Sequence, residues 1–327
     1  MKNQKILITG GAGFMGSSLV RRLLKEDVDI RVLDNHQRGK GSRLDDILSK
    51  IEFLEGDIRD EKIVEKACKG VDVVFHLAYL NGTKFFYEKP DIVLDIAVSG
   101  INNIIKSSIK NNVSDFYLAS SSEVYQTPNH IPTSEKVSLL IPDILNPRYS
   151  YGGGKILCEL MTVNYGKKYF KKSVIFRPHN VYGPNMGWEH VIPNFITKIN
   201  ENIKKVKSEH INLKIQGNGT ETRAFIYIDD FIEGLIKVFK KGKNLEIYNI
   251  GTEEEISIEE LSTKIGLYFN KNVKIITGDI QKGSTKRRCP DISKLKSLGF
   301  SPNFTLDDGI KITSDWYVQN QNNQIKI

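Results

Sequence analysis

Short apolar runs recur through the first half of the chain, each closed by glycine or a polar residue. Residues 5–9, 29–34, 51–55, 71–77, 116–120 and 173–177 read as strands, being brief, apolar and rich in β-branched or aromatic side chains. Between them, 17–25, 60–69, 91–112 and 151–171 carry helical spacing. Strand alternating with helix predicts right-handed crossovers and a parallel sheet. The expected fold is therefore a doubly wound α/β sheet with ligands at the carboxyl ends of its strands.

Beyond residue 178 the pattern loosens. Prolines and glycines punctuate 178–193, a glycine-rich loop covers 217–223, and 283–302 is irregular and basic. These segments predict a smaller substrate-binding region beside the sheet. The expected division is 1–178, with 225–250 returning to it, against 179–224 and 251–327. No internal repeat interrupts this organisation.

With 39% hydrophobic and 26% charged residues, the 327-residue chain has a globular composition, and global disorder is excluded. No apolar run reaches the ~18–20 residues of a membrane span, so no membrane partner is expected. The amino terminus enters a strand at once, which argues against a secretory signal. Cys68, Cys158 and Cys289 are too widely spaced for a zinc pattern and too few for a disulfide framework, which fits a reducing cytoplasm. Forty-seven basic against 39 acidic residues leave a formal charge of +8, which suits anionic partners. The lysines are scattered, however, which favours a phosphorylated small molecule over nucleic acid.

The first candidate site lies between the first strand and helix. Gly10, Gly13 and Gly16 form a G-x-x-G-x-x-G series in which the first permits a tight turn, the second a close backbone approach to a pyrophosphate, and the third close helix–strand packing. The following helix offers free N–H groups to the phosphates. Asp34 ends the second strand 18 residues after Gly16, where a carboxylate accepts from ribose hydroxyls and repels a 2′-phosphate. This favours NAD over NADP, with Arg38 nearby pulling slightly the other way. Asp57, after the third strand, is a candidate for the adenine amino group.

Tyr151 and Lys155 stand at i and i+4, on one face of a helix. A free phenol, with a pKa near ~10, is a poor base at neutral pH. A neighbouring ammonium favours the phenolate, so Tyr151 is the candidate base for a substrate hydroxyl. Lys155 is also placed to hold ribose hydroxyls. The Ser121 hydroxyl, at the end of the fifth strand, can bond the same substrate oxygen, and Glu123 adds a carboxylate able to act at a sugar carbon.

These motifs resemble the extended short-chain dehydrogenases/reductases, specifically the nucleotide-sugar epimerases and dehydratases. The resemblance spans essentially the whole chain. It is carried by Thr9–Gly16, Asp34-Asn35, 56–60, His76-Leu77-Ala78, 120–125, Tyr151 with Lys155, 177–184, 217–219 with 223–225, and 287–291. It implies a Rossmann-like fold, tightly held NAD, C4 oxidation of a nucleotide-diphosphate sugar by Tyr151 and Ser121, and a homodimer built on two helices per subunit. It further implies cofactor contacts at Phe14, Met15, Asn35, Ile58, Leu77, Ala78, Tyr79, Ser120 and Pro178. Substrate contacts are implied at Ser122, Asn180, His190, Val191, Gln216, Arg223 and one of Arg287 and Arg288, with Arg287 taken. Trp188 is a candidate wall of the sugar pocket or a core anchor. The chain departs from the family at 97–101, where Ala97 and Ile101 replace the usual Asn and Thr, and at Gln126, where glycine is usual.

A 4-keto sugar can be epimerised, dehydrated across C5–C6, decarboxylated or released. Glu123 decides the expectation. A base near C5 suits 4,6-elimination, because the proton α to the new ketone is acidified. The residues thus predict a 4,6-dehydratase first, then a 4-epimerase, then a C4 dehydrogenase or a decarboxylase.

Overall fold

The structure is a computed structural model that describes residues 3–38, 41–205, 208–279, 283 and 285–323. Residue 284 of the basic stretch therefore lies outside the described residues.

Seven strands form one parallel sheet: β1 (Gln4–Thr9), β2 (Val28–Asp34), β3 (Glu52–Glu55), β4 (Val73–His76), β5 (Asp115–Ala119), β6 (Lys172–Pro178) and β7 (Glu246–Ile250). Their order is β7-β6-β5-β4-β1-β2-β3. The six expected strands are present with ends shifted by one or two residues, and β7 adds an edge beside β6.

Successive residues of a strand face opposite sides of the sheet. Ile6, Ile8, Val32, Phe75, Tyr117 and Phe176 belong to one buried cluster, and Leu7, Leu33, Val74, Phe116, Leu118 and Ile175 to the other. Burial on both faces is why these strands read as unbroken apolar runs.

The covering helices include α1 (Phe14–Leu23), α2 (Glu61–Cys68), α3 (Pro90–Asp95, continuing to Lys110), α4 (Tyr149–Tyr169), α5 (Val191–Lys205), α6 (Ile228–Lys241), α7 (Ile258–Tyr268) and α8 (Leu306–Gln319). Where 97–101 departs from the family pattern, α3 passes through a π-helical turn at Ile96–Gly100. A Cβ on Gly100 would lie 2.4 Å from Ile58, so glycine lets this turn rest on the loop after β3. By length and composition the 21-residue helix Pro90–Lys110 could cross a membrane, a property its interrupting polar residues hid in the sequence. Half of its most apolar stretch is buried inside the fold, as in a core helix.

The chain order reverses between β1 and β4, so their carboxyl ends open a crevice. Smaller pairings extend the molecule beyond it. Thr222–Ala224 lies between antiparallel Glu255–Ser257 and parallel Arg287–Arg288, and His210–Lys214 pairs with Asn272–Ile276.

Candidate active site

The glycine series forms a close-packed cradle at the crevice. Gly10 has φ +72°, and a Cβ there would lie 2.7 Å from the Ala78 nitrogen. A Cβ on Gly16 would fall 2.1 Å from the Gly10 carbonyl oxygen, so any side chain is excluded. At Gly13 the only near atom is that same oxygen, at 3.1 Å. Gly13 starts α1 without a side-chain cap, which leaves the amino-terminal N–H groups directed at the cavity.

Asp34 is held rigidly at the cavity edge. Its carboxylate accepts from the Ala12 N–H at 2.9 Å and the His36 N–H at 2.8 Å. Asn35 donates to Asp57 at 2.9 Å. Asp57 sits below the usual carboxylate range, chiefly because Arg59 hydrogen-bonds it. Gly10, Gly13, Asp34, Arg38, Asp57 and Ile58 line one cavity, with Leu77, Ala78 and Tyr79 across it.

Phe14 and Met15 form the first turn of α1 and pack partly into the core. Pro178 ends β6 beside Ile250. Ser120 is buried and donates its hydroxyl to Glu159. Glu159 also takes two hydrogen bonds from Arg177, at 2.8 and 2.6 Å, a buried pair that braces β5 and β6 against α4. The cradle, the free helix terminus and the carboxylate thus fit a dinucleotide without a 2′-phosphate.

Tyr151 lies in the first turn of α4 and Lys155 in the second, and both pack on Tyr79, which lines this cavity. Phe86 stacks on the Tyr151 ring at 4.7 Å, and Tyr79 meets its edge at 5.2 Å. Burial raises the phenol above its ordinary pKa, while the Ser121 hydroxyl works in the opposite direction. The Lys155 ammonium donates to the Ala119 carbonyl at 2.7 Å, and burial lowers it to about 8. His76 hydrogen-bonds Thr9 at 2.8 Å and, buried, drops to about 3, so it stays neutral.

A second cavity of about 450 Å³ adjoins, within the size range of small-molecule sites. Glu123, Arg148, Asn180, Val191, Arg223 and Arg288 are among its walls, with exposed Gln216 at the rim. Arg288 donates to Glu123 at 2.9 Å, and an Arg148 nitrogen lies 3.8 Å from the same carboxylate oxygen. Burial alone would push the Glu123 carboxyl up, but Arg288 and Arg148 hold it below the usual range. Arg223 is pinned by the carbonyls of Thr222 and Thr285, both at 2.7 Å, and burial with Arg288 beside it lowers it to about 10.

The remaining expected substrate residues are placed as follows. Arg288, not Arg287, enters the cavity: Arg288 pairs with Arg223 in the small sheet, whereas Arg287 points outward to Glu255 and keeps 55% of its side chain exposed. Trp188 packs on Tyr317 at 4.7 Å and beside Trp316, anchoring its loop to α8. His190 precedes α5 and falls to about 4, through burial first and Arg38 second. Asn180 lines the cavity while its amide donates to the Ala224 carbonyl at 2.8 Å. Ser122 is buried in a short 3₁₀ turn.

Sequence reasoning missed Arg148 and Glu159. Arg148 stands three residues before Tyr151, one helical turn away, and that spacing was the available signal. Its Nε is buried with no partner among the described residues.

A glycine cradle with Asp34 at its edge, a tyrosine–lysine pair and a second cavity lined by Arg148, Arg223 and Arg288 together define a dinucleotide-dependent enzyme acting on an anionic small molecule. The model of the NAD dependent epimerase/dehydratase family matches residues 6–251, and the chain belongs to that family. It is 31% identical to a UDP-N-acetyl-alpha-D-glucosaminuronate decarboxylase of Bacillus cytotoxicus, over 98% of this chain and 99% of the relative. A putative UDP-glucose 4-epimerase of Methanocaldococcus jannaschii is 34% identical over 96% and 99%. Among solved structures, the dTDP-glucose 4,6-dehydratase of Streptomyces venezuelae with NAD bound superposes with a TM-score of 0.87 at 26% identity, covering 98% of each chain. The protein is thus an NAD-dependent, nucleotide-sugar-modifying enzyme with a Rossmann fold.

Proposed function

We propose that the enzyme oxidises a nucleotide-linked uronic acid at C4 and then releases C6 as carbon dioxide. NAD, when bound, supplies the acceptor for the C4 hydrogen. Tyr151 takes the C4 hydroxyl proton, Ser121 orients that oxygen, and the Lys155 charge favours the phenolate. A C4 ketone makes the C6 carboxylate a β-keto acid. Its C5–C6 bond then breaks with the electron pair moving into the C4–C5 enolate, and C5 recovers a proton.

The observation that carries this reading is the Arg148 guanidinium, which lines the cavity beside the Glu123–Arg288 pair and whose buried Nε has no partner among the described residues. An unsatisfied buried donor is costly, and a substrate carboxylate is a matching acceptor. Arg223 is the candidate for the diphosphate. The 31% identity to the Bacillus cytotoxicus decarboxylase supports the same assignment.

The competing reading is the 4,6-dehydratase. It asks Glu123 to remove the C5 proton, but two guanidinium groups depress that carboxylate, and a depressed pKa weakens a base. It is favoured by the structural match to the Streptomyces venezuelae dehydratase. Mass spectrometry after incubation with UDP-linked uronic acids and with neutral UDP-, dTDP- and GDP-sugars, with NAD added, separates the two. Loss of carbon dioxide from a uronic acid is expected. Loss of water from a neutral sugar would instead establish the dehydratase, and a new sugar of unchanged mass a 4-epimerase.

The homodimer suits Leu94 and Val98 on α3 with Leu160 on α4, which are large apolar side chains 42–57% exposed. Sedimentation at increasing concentration tests it.

A further inference from the structure

Tyr79 follows the His76-Leu77-Ala78 motif and has a side chain that the reaction above does not use. Its ring is the face on which the Lys155 ammonium rests, 3.9 Å from the centroid. The same ring meets the Tyr151 ring at 5.2 Å and 87°. Its hydroxyl is buried without a partner among the described residues.

The room for this phenol comes from α4 itself. A Cβ on Gly154 would lie 2.3 Å from the Tyr79 hydroxyl oxygen and 2.9 Å from the Ala97 Cβ. The adjacent glycine is filled in the same way: a Cβ on Gly152 would lie 2.5 Å from the Gln126 amide nitrogen. All three glycines between Tyr151 and Lys155 thus meet side chains from outside the helix, a Cβ on Gly153 lying 3.2 Å from Ile141.

We infer that Tyr79 is a positioning residue whose ring face, admitted by Gly154, holds the Lys155 ammonium beside Tyr151. Among the described residues Lys155 has one hydrogen-bond acceptor, the Ala119 carbonyl, and no ion pair, the Glu159 carboxylate that acts on it being paired to Arg177. An aromatic face attracts only the charged form of lysine. In a buried site, where desolvation disfavours that charge, the Tyr79 ring is the nearer of two faces that support it, the Tyr151 ring lying 5.9 Å away. The hydroxyl adds nothing to this role, so phenylalanine should serve equally well and an aliphatic residue should not.

The inference rests on Tyr151 as the base and Lys155 as its cationic neighbour. The test follows the tyrosinate absorbance of the NAD-loaded protein against pH, and needs no substrate. Tyr151→Phe, made in each background, supplies the blank that isolates the Tyr151 step. Tyr79→Phe should leave the Tyr151 midpoint where it is in the unmodified protein. Tyr79→Leu should raise it by about half to one pH unit, the scale of one desolvated cation–ring contact. If the leucine variant does not fold, Tyr79→Met replaces it, filling the space with an unbranched chain that has no ring face. A Tyr151 step unmoved by the aliphatic exchange overturns the role of Tyr79 and leaves the base intact. A larger shift with Tyr79→Phe than with the aliphatic exchange also overturns it, because the hydroxyl would then be the active group. Absence of any Tyr151-dependent step in the unmodified protein overturns the assignment of the base, and this inference with it.

Discussion

Arg288 donates to the Glu123 carboxylate at 2.9 Å across 165 residues of chain, and the two side chains are only 12% and 19% exposed. A buried pair of this kind does two things. It joins the turn after β5 to the Arg287–Arg288 strand of the small sheet, and it keeps Glu123 ionised against its own desolvation.

Glu123→Ala leaves Arg288 buried without its acceptor. Breaking a buried pair on one side costs about 3–5 kcal/mol. Denaturant unfolding should show a loss of that order, with a smaller loss for Glu123→Gln, which keeps an acceptor oxygen. If Glu123 is the C5 base instead, Glu123→Gln should still oxidise C4, visible as reduced cofactor, and then stall.

Tyr151→Phe removes the proposed proton acceptor while keeping the ring between Phe86 and Tyr79. Turnover should fall by about 10²–10⁴, the usual worth of a general base. NAD content of the purified protein should be unchanged. A variant with most of its activity would sink the assignment.

Lys155 makes stability depend on pH. Its folded-state pKa of about 8 lies below the ordinary 10.5, so between those values the unfolded chain binds more protons. The unfolding free energy therefore rises as pH climbs through that window, and the burial cost is borne in full below it. Subtracting the pH profile of Lys155→Met from that of the unmodified protein should isolate this rise. A difference that is flat or falls with pH contradicts it.

The glycine series should separate by position. Gly16→Ala puts a methyl 2.1 Å from a backbone oxygen, and Gly13→Ala puts one at 3.1 Å. The first should cost several kcal/mol, on the order of an overpacked core or more, and abolish NAD binding. The second should fold nearly normally and weaken NAD affinity, because Gly13 lines the cavity. Calorimetric titration with NAD distinguishes them.

Arg148 and Arg223 carry different expectations. Arg148→Met should lower kcat/KM on a uronic-acid substrate by about ten- to a hundredfold, the worth of a charge-assisted contact, and leave affinity for bare UDP almost unchanged. Arg223→Met should weaken bare UDP by a similar factor. Equal effects of both variants on UDP affinity would place Arg148 at the diphosphate and remove the main support for a carboxylate site.

The short-range features of this protein are legible in its residues alone. The glycine series of 10–16 and the Tyr151–Lys155 pair are contacts between near neighbours, governed by a turn and by helical spacing. The six strands follow from apolar runs buried on both faces, whereas the edge strand β7 is half-covered at its start and stands out less. Arg288 against Arg287 is a different kind of question. Adjacent strand residues point to opposite sides, and only the register of Arg287–Arg288 against Thr222–Ala224 decides which arginine meets Glu123. The glycines of 152–154 look like a defect in a helix until Gln126 and Tyr79 arrive from other elements to fill the space. The sequence by itself thus determined the cofactor fold and the helical pairing of Tyr151 with Lys155, because those depend on local periodicity. Only the tertiary structure decided the charge around Glu123, because that charge comes from residues 25 to 165 positions away, brought within 4 Å by the packing of separate elements.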